Sequence, residues 1–200
     1  MLPEEKKGKF RLPIDTQAKI AEALLDLALE NPTKSDFSMC EIAKRAGISR
    51  QAIYQKHYRN CADIVKYLRN QTNDQIFAVF RQYDPSSGQN PFDYFAYSVI
   101  PTFYMDRRLI RCFFTTAIDP TWRRFIMKTY TKWGLANYDT CGFDYHFTDE
   151  AMVQLLIHST MAILETWLSQ ENPTPPEQFS DDFIRIVKTP IYDLISVKKI

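Results

Sequence analysis

Apolar residues between Thr16 and Glu30 fall at Ile20, Leu24, Leu27 and Ala28, one stripe of a helix, with Asp15 or Thr16 to cap it and Asn31-Pro32 to stop it. Two shorter helices are predicted within FSMCEIAKRAGISRQAIYQKHY, residues 37–58. Ser38 and Glu41 have the spacing of a capping box, Phe37 and Ile42 that of a hydrophobic staple, and Gly47 stands where a left-handed residue ends a helix after Ala46. Ser49 is then a second N-cap, with Ile48 and Ile53 as a second staple, so the next helix starts two residues beyond the glycine. The expected spans are 16–30, 39–46 and 49–58. Ile42, Ala43, Ala46, Ile48 and Ile53 form an apolar seam, which leaves Arg50, Gln51, Tyr54, Gln55 and Lys56 on the outer face of the third helix. That face can donate to bases and phosphates.

The pattern resumes at Asn60 and runs through Ile64, Leu68, Ile76 and Phe80 to Tyr83, a helix well above the mean length of about 12 residues. DPSSGQNP, residues 84–91, is the clearest loop. Helices are expected beyond it over 92–104, 106–118, 121–138, 148–171 and 177–197, punctuated by Pro101, Pro120 and the prolines of 173–176. No stretch alternates strictly enough to demand a strand, so the fold class is all-α. The division is a three-helix helix-turn-helix domain over 1–62 and a helical regulatory and dimerisation domain over 63–200. Residues 148–171 are apolar around nearly the whole helix, which therefore buries more than one side. A symmetric four-helix closure with the last helix would put Leu156, Ser159, Ile163 and Trp167, with Phe183 and Ile191, at a homodimer interface.

A formal net charge of +1 does not mark a nucleic-acid binder, but its distribution is uneven. Residues 1–70 hold 13 Lys/Arg against 9 Asp/Glu and the remainder 12 against 15, the asymmetry of a DNA-contacting head on a neutral body. Lys6, Lys7, Lys9 and Arg11 could form an arm on DNA or a solvated tail. Cys40, Cys61, Cys112 and Cys141 are scattered and read as reduced, mostly packed thiols. The N-terminus has no apolar signal region, and no run of about 18 apolar residues is evident, so a soluble cytoplasmic protein without membrane contact is expected.

At EIAKRAGISRQAIY the chain resembles the tetracycline-repressor-like (TetR) family of transcription regulators, and the likeness extends from the first helix to about Leu68. The body resembles that family only in outline. The resemblance implies that Arg50, Gln51, Ala52 and Gln55 reach base edges and that Tyr54 lies on a phosphate. Arg can fork onto guanine and Gln onto adenine, each pair discriminating by about 1–3 kcal/mol. The helix start at Ser38, Met39 and Cys40 would point amides at a phosphate, with Ser49 capping the reading helix, and Lys44, Lys56, His57 and Tyr58 are candidates for further backbone contacts. One departure stands out. The family commonly places an aromatic three residues after this tyrosine and a lysine soon afterwards; here Tyr58 comes four later and Cys61 stands near the lysine position, so an extra residue lengthens the third helix.

The body is rich in aromatics, and two readings account for them: plain core packing, or an effector cavity lined by Phe103, Tyr104, Phe114, Tyr130, Trp133 and Met161. His146 and Glu150 are one helical turn apart, but no paired Cys/His motif joins them, and no metal or cofactor is expected. The five glycines form no phosphate loop, and HExxH and GxSxG are absent, so no enzyme is indicated. The expectation is a homodimeric repressor on a double-stranded, pseudo-palindromic operator, released by a small-molecule effector. The alternative is a helix-turn-helix scaffold kept for protein interaction.

Overall fold

A computed structural model describes residues 16–56, 58–139 and 146–194, and every regular element among them is helical. The head comprises α1 (Thr16–Glu30), α2 (Met39–Ala46) and α3 (Arg50–Gln55). The long α4 (Cys61–Phe80) leads into a body made of α5 (Pro91–Tyr94), α6 (Ile100–Met105), α7 (Arg107–Thr115), α8 (Trp122–Asn137), α9 (Asp149–Leu168) and α10 (Pro176–Lys188).

Local chemistry sets the head. The Ser38 hydroxyl accepts from the Glu41 amide at 3.2 Å while the Glu41 carboxylate accepts from the Ser38 amide at 2.8 Å, closing the capping box. Gly47 takes φ 64°, and the Ile48 amide reaches back to the Ala43 carbonyl at 3.1 Å, so the last turn of α2 is closed by a left-handed residue. Ser49 caps α3 through the Ala52 amide at 3.1 Å. Ile20, Leu24 and Ala28 of α1 meet Ile42 and Ile53, all fully buried, as the head's core.

The third helix is shorter than expected. It stops at Gln55 rather than 58, because Asn60 caps α4 through the Asp63 amide at 2.9 Å and Tyr58 turns inward onto Tyr67, ring centroids 5.7 Å apart. Likewise α4 ends at Phe80 and α10 at Lys188, the latter where Thr189 becomes extended ahead of Pro190.

Residues 92–104, expected as one helix, contain a π-turn over Phe95–Val99. Pro101 has no amide to donate, and its ring would crowd the carbonyl one turn back; the wider turn relieves this, with the Ile100 amide bonding to Phe95. The Ala96 carbonyl, five residues before Pro101, receives no amide from the proline. The Ser180 hydroxyl of α10 donates to it inside the core. A buried carbonyl without a partner would cost about 1–3 kcal/mol, so this one bond ties α10 to the π-turn.

Head and body are joined by polar links as well as by α4. Arg108 of α7 reaches Glu22 and Asp26 of α1, and the Ala117 amide donates to the Pro32 carbonyl at 2.7 Å. Arg69 of α4 meets Asp119 at 3.0 Å and lies over Phe125, while Thr72 donates to the buried Asp106 at 2.7 Å. Burial raises the Asp106 carboxyl above its ordinary range, against the opposing pull of the Thr72 bond.

Candidate nucleic-acid interface and body cavity

Because α2 is capped at both ends and α3 starts three residues beyond Gly47, α3 presents one apolar and one open face. Ile53 is fully buried, whereas Arg50, Gln51, Tyr54 and Gln55 are exposed, with Ala52 and Lys56 half-buried at the margin. The side chains of Arg50, Gln51, Tyr54 and Gln55 form no hydrogen bond or ion pair among the described residues, which leaves their donors available. Ser49, Ser38 and Lys44 are exposed beside them. At the start of α2 the Ser38 amide is taken by Glu41, so the amides of Met39 and Cys40 are the ones left for an anion, and the Met39 side chain is buried. Lys34, 2.6 Å from Glu41, offsets the carboxylate that a phosphate would meet there and, with the two Ser38 bonds, holds it down to about 2.

Tyr58 does not belong to this surface. It is 6% exposed, and burial pushes its phenol up to about 12, so it serves as a core residue between head and α4. His57, Cys141 and the basic arm of Lys6, Lys7, Lys9 and Arg11 lie outside the described residues. Burial pushes the thiols of Cys61 and Cys112 up to about 11, while Cys40 is exposed.

The body holds a half-open cavity of about 640 Å³ between α4, the π-turn, α8 and α9. Phe103, Phe114, Tyr130, Trp133 and Met161 line it. Tyr104 does not; it stacks on Trp167 at 5.6 Å with Arg107 against its ring. The lining also includes residues outside the six cavity candidates, among them Phe80 and Tyr83 from the α4 end, Trp122, and Val153, Thr160 and Leu164 on α9. Gly134 is in the wall because α8 and α9 cross closely there: a Cβ on it would sit 2.7 Å from Val153 Cγ1. Tyr130 stacks on Phe77 of α4 at 5.0 Å, and its buried hydroxyl has no partner.

Two residues assigned to a subunit interface are interior to the subunit. Trp167 stacks on Phe179 at 3.9 Å and donates from its indole to the Thr174 carbonyl, and Phe183 is fully buried against Phe92, Phe95 and Phe179. Leu156, Ser159 and Ile191 are exposed and Ile163 half-buried; Leu156 also borders the cavity. By length and composition α9 meets the requirement for a membrane span, with mean hydropathy 1.2, contrary to the sequence expectation. Yet it opens with Asp149 and Glu150 and buries Val153, Met161, Leu164, Trp167 and Leu168 against its own chain.

Native NalD from Pseudomonas aeruginosa, described as the secondary repressor of the MexAB-OprM multidrug efflux pump, superposes on 85% of this chain and 92% of its own. The TM-score is 0.59 and the identity 15%. The chain has a TetR-like fold. It is built from an N-terminal helix-turn-helix domain and a helical C-terminal domain. No protein-family model matches the sequence, and no curated protein matches it. At this identity the likeness speaks for the arrangement of helices and not for their surfaces.

Proposed function

We propose that this protein is a TetR-like DNA-binding transcription regulator, a repressor that docks as a homodimer on a pseudo-palindromic operator. The observation that carries the reading is the exposed, unpartnered row Arg50, Gln51, Tyr54 and Gln55 on a helix held rigidly by the capped α2–Gly47–α3 unit. Arg and Gln are the side chains that read guanine and adenine bidentately in the major groove. Phosphate contacts from Lys44, Lys56 and the α2 amides would fix its register. NalD is a repressor, and the shared helix arrangement supports the same role here. The working division is a reading head over 1–62 and a regulatory body over 63–200. The exposed Leu155, Leu156 and Ser159 on α9 support a second copy as the body's partner.

The cavity serves as the effector site in this scheme. Its wall includes Phe80 of α4 and Trp122, three residues beyond the Asp119 that grips Arg69 of α4. A ligand that repositions either residue shifts α4 and with it the head. Two heads that must sit about 34–36 Å apart then cannot dock together.

Selection from random duplex DNA followed by a gel shift tests the reading. Replacing Arg50 and Gln55 together by alanine should weaken the selected site by about 10²-fold or more while leaving the salt dependence from phosphate contacts largely in place. Unchanged affinity in the double variant would remove α3 as the reading face.

A further inference from the structure

We infer that Asp26 of α1 is a positioning residue, shared between Arg108 of the body and Arg45 of the helix-turn-helix, so that the body sets the pose of α2 and α3 through α1 as well as through α4. The inference rests on α3 being a DNA-reading face and adds a second tie that fixes how two such heads are spaced.

Glu22, Asp26 and Glu30 recur every four residues along α1 and form one acidic ridge. Like charges at this spacing repel on a helix. Two arginines answer them in overlapping pairs. Arg108 of α7 meets Glu22 and Asp26, while Arg45 of α2 donates to Glu30 at 2.7 Å and lies 3.6 Å from Asp26. Asp26 is thus common to both, and its two oxygens are divided between them: Oδ1 faces Arg108 and Oδ2 faces Arg45. A carboxylate that one guanidinium has already ordered has less rotamer freedom left to lose to the second, so each contact favours the other.

The ends of this ladder lie where a shift has consequences. Arg45 stands two residues before Gly47, the turn that aims α3. Arg108 shares α7 with Phe114, which is in the cavity wall. Movement of α7 therefore reaches α2 without passing through α4. The five side chains are 33% to 55% exposed, so each contact is screened and individually weak. Contacts of that strength hold a pose and leave the fold to the buried core.

The test compares the whole protein with Arg108→Gln, Asp26→Ala and the double variant. Arg185→Gln, which breaks an ion pair confined to α10, is the control. Amide exchange is read first, without DNA. Arg108→Gln should speed exchange of the α2 amides by about 2- to 5-fold, although the substitution lies in α7, and should add nothing in the Asp26→Ala background. The control should leave α2 as it was, and the urea midpoints should stay close to that of the native protein. Half-site spacing is read second, on a selected operator lengthened or shortened by one and two base pairs between its halves. The ratio of affinities for the preferred and altered spacings should fall about threefold in Arg108→Gln and Asp26→Ala, because a loosened head tolerates a displaced half-site. That ratio cancels the uniform change in DNA affinity that an altered net charge brings.

Unchanged α2 exchange in Arg108→Gln, or an equal further increase in the Asp26→Ala background, would overturn the sharing of Asp26. Undiminished spacing discrimination beside faster α2 exchange would overturn its role in placing the heads. Failure to select any sequence would strike the DNA-reading assignment instead, and exchange alone would then decide the ladder.

Discussion

In the head, the helix caps close locally: Ser38 with Glu41, Ser49 with Ala52 and Asn60 with Asp63 are each three residues apart, and the longer polar links there are Arg45 to Glu30 and Arg108 of α7 to α1. In the body the corresponding separations are 34 for Thr72 with Asp106, 50 for Arg69 with Asp119 and 84 for Ser180 with Ala96. The difference matters for what each region can do. Locally capped helices hold the α3 face in one pose against α2, as a reading surface requires, while Arg108 and Ala117 tie the other side of the head to the body. Long-range partners make the body a set of helices whose spacing depends on a few contacts, the condition under which filling a cavity can be felt at α4.

The largest break in this comparison comes from Phe183, fully buried among the rings of Phe92, Phe95 and Phe179. Phe183→Ala should cost about 3–5 kcal/mol, seen as a lower urea midpoint that does not depend on protein concentration. A residue at a subunit interface would behave otherwise, losing dimer at low concentration while the subunit stayed folded. The same truncation of Ile42 in the head is expected to cost about 2–5 kcal/mol and to abolish DNA binding first.

This contrast also explains what could be read from the residues. The capping box, the two staples and Gly47 are spacings of five residues or fewer, so the sequence predicted α2 and the start of α3 as they stand. The end of α3 was missed because Tyr58 leaves the helix to pack on Tyr67, a tertiary pull with no local sign. In α9, apolar residues all round the helix led to the expectation that more than one side is buried, and did not say which side faces the chain itself; only Val153, Met161, Leu164, Trp167 and Leu168 are buried. Trp167 and, on α10, Phe183 were therefore placed outward, and Tyr104 was placed in the cavity although it packs on Trp167. Five of the six cavity candidates do line it, since a large aromatic on a helix flanking α4 had few other places to go.

A smaller and more selective break is available at the π-turn. Ser180→Ala removes the only side-chain donor to the Ala96 carbonyl among the described residues and should cost about 1–3 kcal/mol. The effect should fall on the α5–α6 and α10 amides in hydrogen exchange, with α2 and α3 amides protected as before. If the head's amides opened equally, the two regions would form one cooperative unit and the distinction drawn between them would fail.

The smallest expected effect isolates the head through pH. The Glu41 carboxyl is held down to about 2 from an ordinary 4.5, first by its hydrogen bond from Lys34 and then by the two from Ser38. A depressed carboxylate contributes stability that is fully present above the unfolded value and is lost as pH falls from about 4.5 through 2. Because the group is solvent-exposed, the contribution is screened and should diminish further as salt is added. Glu41→Gln should therefore flatten the acid limb of α2 melting between those values and lower neutral stability by the same small amount, since glutamine at this position still closes a capping box but forms no ion pair with Lys34. Ser38→Ala should cost about 1 kcal/mol at neutral pH and less below the Glu41 titration, because it removes both the cap of the Glu41 amide and one of the bonds to the Glu41 carboxylate. Should Glu41→Gln leave the acid limb as steep as before, the titration of α2 would have to come from outside its own cap, and the head would not be as locally closed as its hydrogen bonds indicate.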